Sequence, residues 1–138
     1  IEMTAARGIM TAGFFMLGFP DETADEMKMT VDYAVHSDLH IASFFYLSPF
    51  PGTPLAESRP DLDEKARSAT FSDYSDVTVN LSAVPDEELT KICKQAYRRF
   101  YFSPKRAFRT VMVVPKNFRM LHSVYDILRL SVKDAVNY

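Results

Sequence analysis

From Gly13 to Phe19, seven residues run almost without a polar atom, and Pro20-Asp-Glu-Thr23 then stops the run abruptly. A short, continuous apolar run closed by turn and cap residues suits a strand buried on both faces, as in a parallel sheet. Thr23 lies three residues before Glu26, the spacing of a capping box, so a helix is expected to follow at once. Strand, tight Gly-Phe-Pro turn and helix constrain the fold strongly. In α/β proteins such a turn lies at the carboxyl end of the strand, where ligands bind.

The next elements extend the same plan. Met27, Val31, Ala34 and Val35 supply an apolar stripe to a helix over about residues 24–36, with Asp25, Lys28 and Asp32 on the wet side. A second apolar run, Ile41 to Leu47, reads as a strand, and strand–helix–strand makes a βαβ unit. Ser48-Pro-Phe-Pro-Gly-Thr-Pro54 follows at its carboxyl end. Its prolines allow no continuing ladder, and Gly52 permits a turn or a close approach to a ligand. Both loops are therefore expected on the same rim of a parallel sheet.

Before this unit, residues 1–7 read as the end of a helix capped by Gly8. A chain that opens on a helix tail reads as a piece of a longer protein. After it, residues 61–70 suit a short polar helix, and Asp76 to Leu81 alternates like an edge strand. The character then becomes all-helical. Pro85 with Asp86, Glu87 and Glu88 opens a helix as its dipole prefers. Leu89, Ile92, Cys93, Ala96, Tyr97 and Phe100 give that helix one apolar face to about residue 102. Ser103-Pro104 caps another helix through about Val113, and Pro115 opens a last one in which Phe118, Leu121, Tyr125, Leu128, Val132 and Ala135 form a seam.

The 138 residues, 47% apolar and 25% charged, are long enough for a real core and unlike a disordered chain. The single cysteine, Cys93, rules out an internal disulfide or a multi-cysteine metal site built from this chain. No apolar run reaches the roughly 18 residues of a membrane span and no signal peptide opens the chain, which favours a cytoplasmic protein. The net charge of −2 conceals an asymmetry: 5 Lys or Arg against 16 Asp or Glu up to Glu88, then 11 against 2. The basic end suits either a solvated face or a partner surface.

Candidate chemistry is sparse when read from residues alone. Asp21 and Glu22 lie in the first turn of a helix, where carboxylates cap, and nothing positions a partner base. His36 and His40 are four apart, but Ser37-Asp38 interrupts the helix between them, and His122 is remote, so no metal site is expected. Cys93 reads as a small core residue. Phe19 and Phe50, at strand ends, are the aromatics best placed to meet a ligand. Lys105, Arg106, Arg109, Lys116 and Arg119, with Phe108 and Phe118, are either a solvated face or a grip for nucleic acid or anionic membrane.

At the two rim loops the residues resemble a known family. Gly18-Phe-Pro-Asp-Glu-Thr23 resembles the Gly-Phe-Pro-Gly-Glu-Thr turn of radical S-adenosylmethionine enzymes. Pro49-Phe-Pro-Gly-Thr-Pro-Leu55 is similar to their Pro-Tyr-Pro-Gly-Thr-Pro-Leu loop one βα unit later. The helix start at Glu88-Leu89 and Phe100-Tyr-Phe-Ser-Pro-Lys105 are similar to the C-terminal extension of the cobalamin-binding subgroup, which carries a corrinoid domain ahead of the barrel. The fold class implied is α/β: the last two βα units of a partial (β/α) barrel in residues 1–84, then an all-helical C-terminal extension in residues 85–138. The resemblance implies an Fe–S oxidoreductase or transferase that uses a 4Fe–4S cluster to cleave S-adenosylmethionine to a 5′-deoxyadenosyl radical, acting on a small-molecule substrate.

By position, the resemblance puts Gly18, Phe19, Pro20, Ser48, Phe50, Pro51 and Gly52 near the nucleoside of S-adenosylmethionine. It carries over no catalytic residue and no metal ligand. Two departures stand out. The cluster-binding Cys-x3-Cys-x2-Cys motif is absent, so this chain alone is expected to be inactive, with the upstream barrel and corrinoid domain as its partners. Asp21 stands where the family often has glycine. The rival reading is a self-contained, non-enzymatic module whose basic helical end docks on nucleic acid or membrane. Unpaired strand edges and an uncovered apolar face further predict that the isolated chain self-associates.

Overall fold

The structure, a computed structural model, describes residues 1–50, 52–58 and 80–113. Along these residues the order is α1 (Glu2–Ala6), β1 (Ala12–Leu17), α2 (Ala24–His36), β2 (Ile41–Tyr46), α3 (Pro54–Glu57), α4 (Asp86–Tyr101) and α5 (Pro104–Val113). Among the described residues the protein is a mixed α/β chain with a two-stranded sheet. The register is parallel. Ile41 N–H donates to Thr11 C=O at the start of the pair, and Leu47 N–H donates to Leu17 C=O at its end, 2.9 Å.

The elements form for the reasons that their sequences suggest. Gly8, at φ +70°, closes α1 with a Schellman pair: Gly8 N–H donates to Ala5 C=O and Ile9 N–H to Thr4 C=O. The capping box of α2 is present, with Thr23 N–H and Oγ1 both donating to Glu26 Oε2 at 2.9 and 2.8 Å. Those two bonds also pull the Glu26 carboxyl below its ordinary pKa. α4 begins one residue after Pro85 and ends where Ser103 caps α5 through a 3.4 Å bond from Arg106 N–H.

The chain divides into two compact units whose boundaries fall inside β1, α2, β2 and α4. The unit of residues 15–30 and 44–93 buries Leu17, Met27, Phe44, Leu81, Leu89, Ile92 and Cys93, with Phe15 stacked on Phe44 at 5.4 Å. The unit of residues 1–14, 31–43 and 94–138 buries Val31, Ala34, Leu39, Ala42, Ala96 and Phe100, together with His40 and Arg106.

Two expectations change. β1 is not buried on both faces: Ala12, Phe14 and Met16 alternate with better-buried neighbours, and Phe14 and Met16 are 75% and 52% exposed. A continuous apolar run does not distinguish a strand covered twice from one covered once, because only neighbouring layers decide that. Asn80 and Leu81, placed at the end of an edge strand, lie outside any strand. The expected helices over 61–70 and after Pro115 lie outside the described residues, as do the rest of the 76–81 strand, His122, Lys116 and Arg119.

Candidate functional site

The parallel pairing brings the two carboxyl-end loops together, because the Leu47–Leu17 hydrogen bond ties the strand ends from which both depart. Gly18, Phe19 and Pro20 follow β1; Ser48, Phe50 and Gly52 follow β2; Pro51 lies outside the described residues. Gly18 sits at φ +91° and Gly52 at φ +79°, conformations that L side chains rarely adopt. They differ in surroundings. A methyl on Gly18 would press on Leu89 Cδ2 at 3.4 Å, whereas one on Gly52 would meet nothing within 4 Å. Phe19 and Phe50 are 45% and 37% exposed, while Pro49 between the strand and Phe50 is fully buried. The rim therefore offers two partly open rings and an unobstructed glycine backbone.

Each loop is held by its own polar groups. Glu22 Oε2 accepts the backbone N–H groups of Gly18 and Phe19 at 2.7 and 3.0 Å, and Glu22 N–H returns a bond to Phe19 C=O. The Glu22 carboxylate is thus committed to the shape of the turn; the amides it accepts precede α2, so it holds the loop rather than capping the helix. Asp21 has φ +60°, so the position where the resembling turns carry glycine is a left-handed one, and aspartate is among the few residues that tolerate it. In the second loop Thr53 Oγ1 donates to Phe50 C=O at 2.7 Å and accepts from Ala56 N–H, capping α3 with Pro54 at its first position.

A third segment meets the rim that sequence reasoning missed. Asp21 N–H donates to Leu81 C=O at 3.1 Å, and Ala83 N–H donates to Glu22 C=O at 3.0 Å. Asn80 organises this segment with a side chain bonded to Val84, Asp86 and Ser82. The Asn-Leu-Ser-Ala-Val-Pro composition carries a turn signal, but nothing in it names the loop that it will touch.

Other candidates lie away from the rim. His36 is exposed at the end of α2 with Nδ1 on Asp32 C=O, whereas His40 is buried, its Nδ1 accepting from Thr11 N–H at 3.1 Å. Among the described residues no three His, Cys, Asp or Glu side chains group to hold a metal. Burial raises the Cys93 thiol pKa, opposed by a hydrogen bond with Tyr46, so Cys93 behaves as a core residue.

Two arginines of the basic segment are used internally. Arg106 is buried, its Nε donating to Leu39 C=O and its NH groups to the carbonyls of Phe100, Val35 and Ser37, while the guanidinium lies 3.6 Å over the Phe100 ring. One arginine thereby closes the C-terminal ends of α2 and α4. Arg109 pairs with Asp38 and donates to Leu39 C=O. Lys105 and Phe108 remain exposed.

With this geometry in place, comparison with known proteins adds a class of chemistry. No family model matches the chain, and no solved structure matches it. An uncharacterised methyltransferase of Pyrococcus horikoshii is 29% identical over 125 residues, covering 86% of this chain and 27% of that protein. A tRNA-2-methylthio-N(6)-dimethylallyladenosine synthase of Aeromonas hydrophila is 31% identical over 82 residues, or 59% of the chain and 17% of the synthase. Bacteriochlorophyllide d C-12(1)-methyltransferase of Chlorobaculum tepidum is 34% identical over 53 residues, or 38% and 12%. All three relatives are enzymes that by name install a methyl or methylthio group. The chain spans about a quarter or less of their lengths.

Proposed function

We propose that this chain is the C-terminal portion of a radical S-adenosylmethionine enzyme that transfers a methyl or related group. Residues 1–84 would supply the last two βα units of its barrel and residues 85–138 a helical extension. The observation that carries the reading is the shared rim: two glycine-containing loops at adjacent carboxyl ends of a parallel pair, each with a partly exposed phenylalanine. Ligands of α/β sheets bind at such ends. The relatives, methyltransferases and methylthio-group synthases, support S-adenosylmethionine as the ligand.

The residues present fit part of that ligand. Open space at Gly52 lets backbone approach a flat base, and the Phe19 and Phe50 rings suit stacking on it. They do not fit an iron–sulfur cluster: Cys93 is the only thiol and it is buried, while cluster ligation needs several thiolates. The cluster ligands, and any corrinoid domain, would belong to the upstream barrel and its preceding domain. S-adenosylmethionine, when bound, supplies the radical chemistry; this chain's loops would hold and orient its nucleoside.

The reading is tested on the full-length protein, purified without oxygen and given S-adenosylmethionine and a reductant. About four irons per chain with 5′-deoxyadenosine released is the expected result. A protein that holds no iron and leaves S-adenosylmethionine intact would overturn it.

A further inference from the structure

The loop Gly18–Glu22 is held from two directions. Inside, Glu22 Oε2 gathers the Gly18 and Phe19 amides. Outside, two backbone bonds to Leu81 and Ala83 flank the left-handed Asp21, and Leu81 is buried beneath them. Those outer bonds depend on the path of residues 80–86, which contains no regular element before α4.

Asn80 sets that path. Its Nδ2 donates to Val84 C=O at 2.7 Å and to Asp86 Oδ1 at 2.9 Å, while its Oδ1 accepts Ser82 N–H at 2.9 Å and Ser82 Oγ at 2.6 Å. Both donors of the amide and both acceptor sites of its oxygen are therefore used. Ser82 and Val84 alternate with Leu81 and Ala83, the residues that bond the loop, so the side chain fixes the two residues adjoining each rung. No other side chain reproduces this set. Aspartate would lose both donors and face Asp86 with a second carboxylate.

We propose that the Asn80–Asp86 turn is a brace for the nucleoside-side loop, with Asn80 as a positioning residue that sets where Gly18 and Phe19 meet S-adenosylmethionine. The proposal rests on the nucleoside reading above and deepens it. With its side-chain donors and acceptor committed to Ser82, Val84 and Asp86, Asn80 acts through Leu81, Ala83 and the loop. A small displacement of a positioning element is enough to cost an order of magnitude or more in ligand use.

The test uses the full-length protein with S-adenosylhomocysteine, which carries the same nucleoside, as the binding probe. Asn80→Ala should weaken its Kd about 10-fold and raise KM for S-adenosylmethionine with kcat changed less than about twofold. Without ligand, the same variant should speed amide exchange at residues 18–22. Glu22→Gln, which keeps an acceptor for the two amides, should bind nearly as wild type, while Glu22→Ala should not. Ile92→Val, a mild core truncation in the same unit, lowers stability and should leave Kd unchanged. Asn80→Ala with wild-type Kd and exchange would overturn the brace while leaving the nucleoside reading standing. Loss of binding in Ile92→Val as large as in Asn80→Ala would also overturn it, by reducing Asn80 to a stability residue. A wild-type protein that binds neither nucleoside would overturn the nucleoside reading and the brace with it.

Discussion

Gly18 and Asp21 occupy left-handed backbone three residues apart, yet they should respond oppositely to substitution. Gly18→Ala adds a left-handed penalty and contact with Leu89, and should cost about 1–2 kcal/mol in denaturant unfolding. Asp21→Gly removes an L side chain from the same region, and should be neutral or stabilising by up to about 1 kcal/mol. A large loss in Asp21→Gly would assign the carboxylate a role that the turn does not show. The glycines were legible in the sequence because Gly-Phe-Pro and Pro-Gly-Thr are turn signals. The left-handed state of Asp21 was not, since aspartate serves caps and ordinary turns equally well. His40 is a second residue-scale case. Burial, then the charge of Arg109, lowers its pKa below the ordinary 6.5, opposed by Asp38; Arg106 also lowers it. The folded state thus resists a proton that the unfolded state takes, so stability present above about pH 6.5 is lost as pH falls below it. His40→Asn keeps an acceptor for Thr11 and should flatten part of the acid limb of thermal midpoint against pH. An unchanged slope would contradict this.

Elements were the most legible scale. The 3.6-residue stripe and the Thr23–Glu26 box placed α2 at its observed ends, and the apolar face of α4 was named from Leu89 to Phe100. What escaped were partners distant in sequence. Arg106 sat in a run that read as a solvated face or a docking surface. Its acceptors are backbone carbonyls up to 72 residues away, and backbone carbonyls leave no mark on a sequence. Arg106→Met should therefore cost at least about 2 kcal/mol, because several carbonyls lose a charged donor, while Lys105→Met on the exposed side should stay within about 0.5 kcal/mol. Equal denaturation midpoints for the two variants would contradict the role assigned to Arg106. Tyr101 poses a similar case on β2. Its hydroxyl donates to Ala42 C=O at 2.8 Å and accepts from Ala42 N–H at 3.3 Å, filling that position of the strand edge. Tyr101→Phe should cost about 1–2 kcal/mol by leaving both groups unpaired.

For the whole molecule, composition set a globular chain and the βαβ order set a parallel pair. The apolar run alone suggested a strand covered on both faces, whereas the exposure of Phe14 and Met16 agrees with the uncovered apolar face expected of βα units taken from a larger barrel. Those exposed side chains lead us to expect that the isolated chain self-associates; light scattering that shows a monomer at high concentration would contradict this. The central claim is that the two rim loops hold the nucleoside of S-adenosylmethionine, and its most direct test is amide exchange on the full-length protein with and without that ligand. Slower exchange at residues 13–23 and 47–53 together is the result predicted. Bound S-adenosylmethionine that leaves both segments unprotected would contradict it.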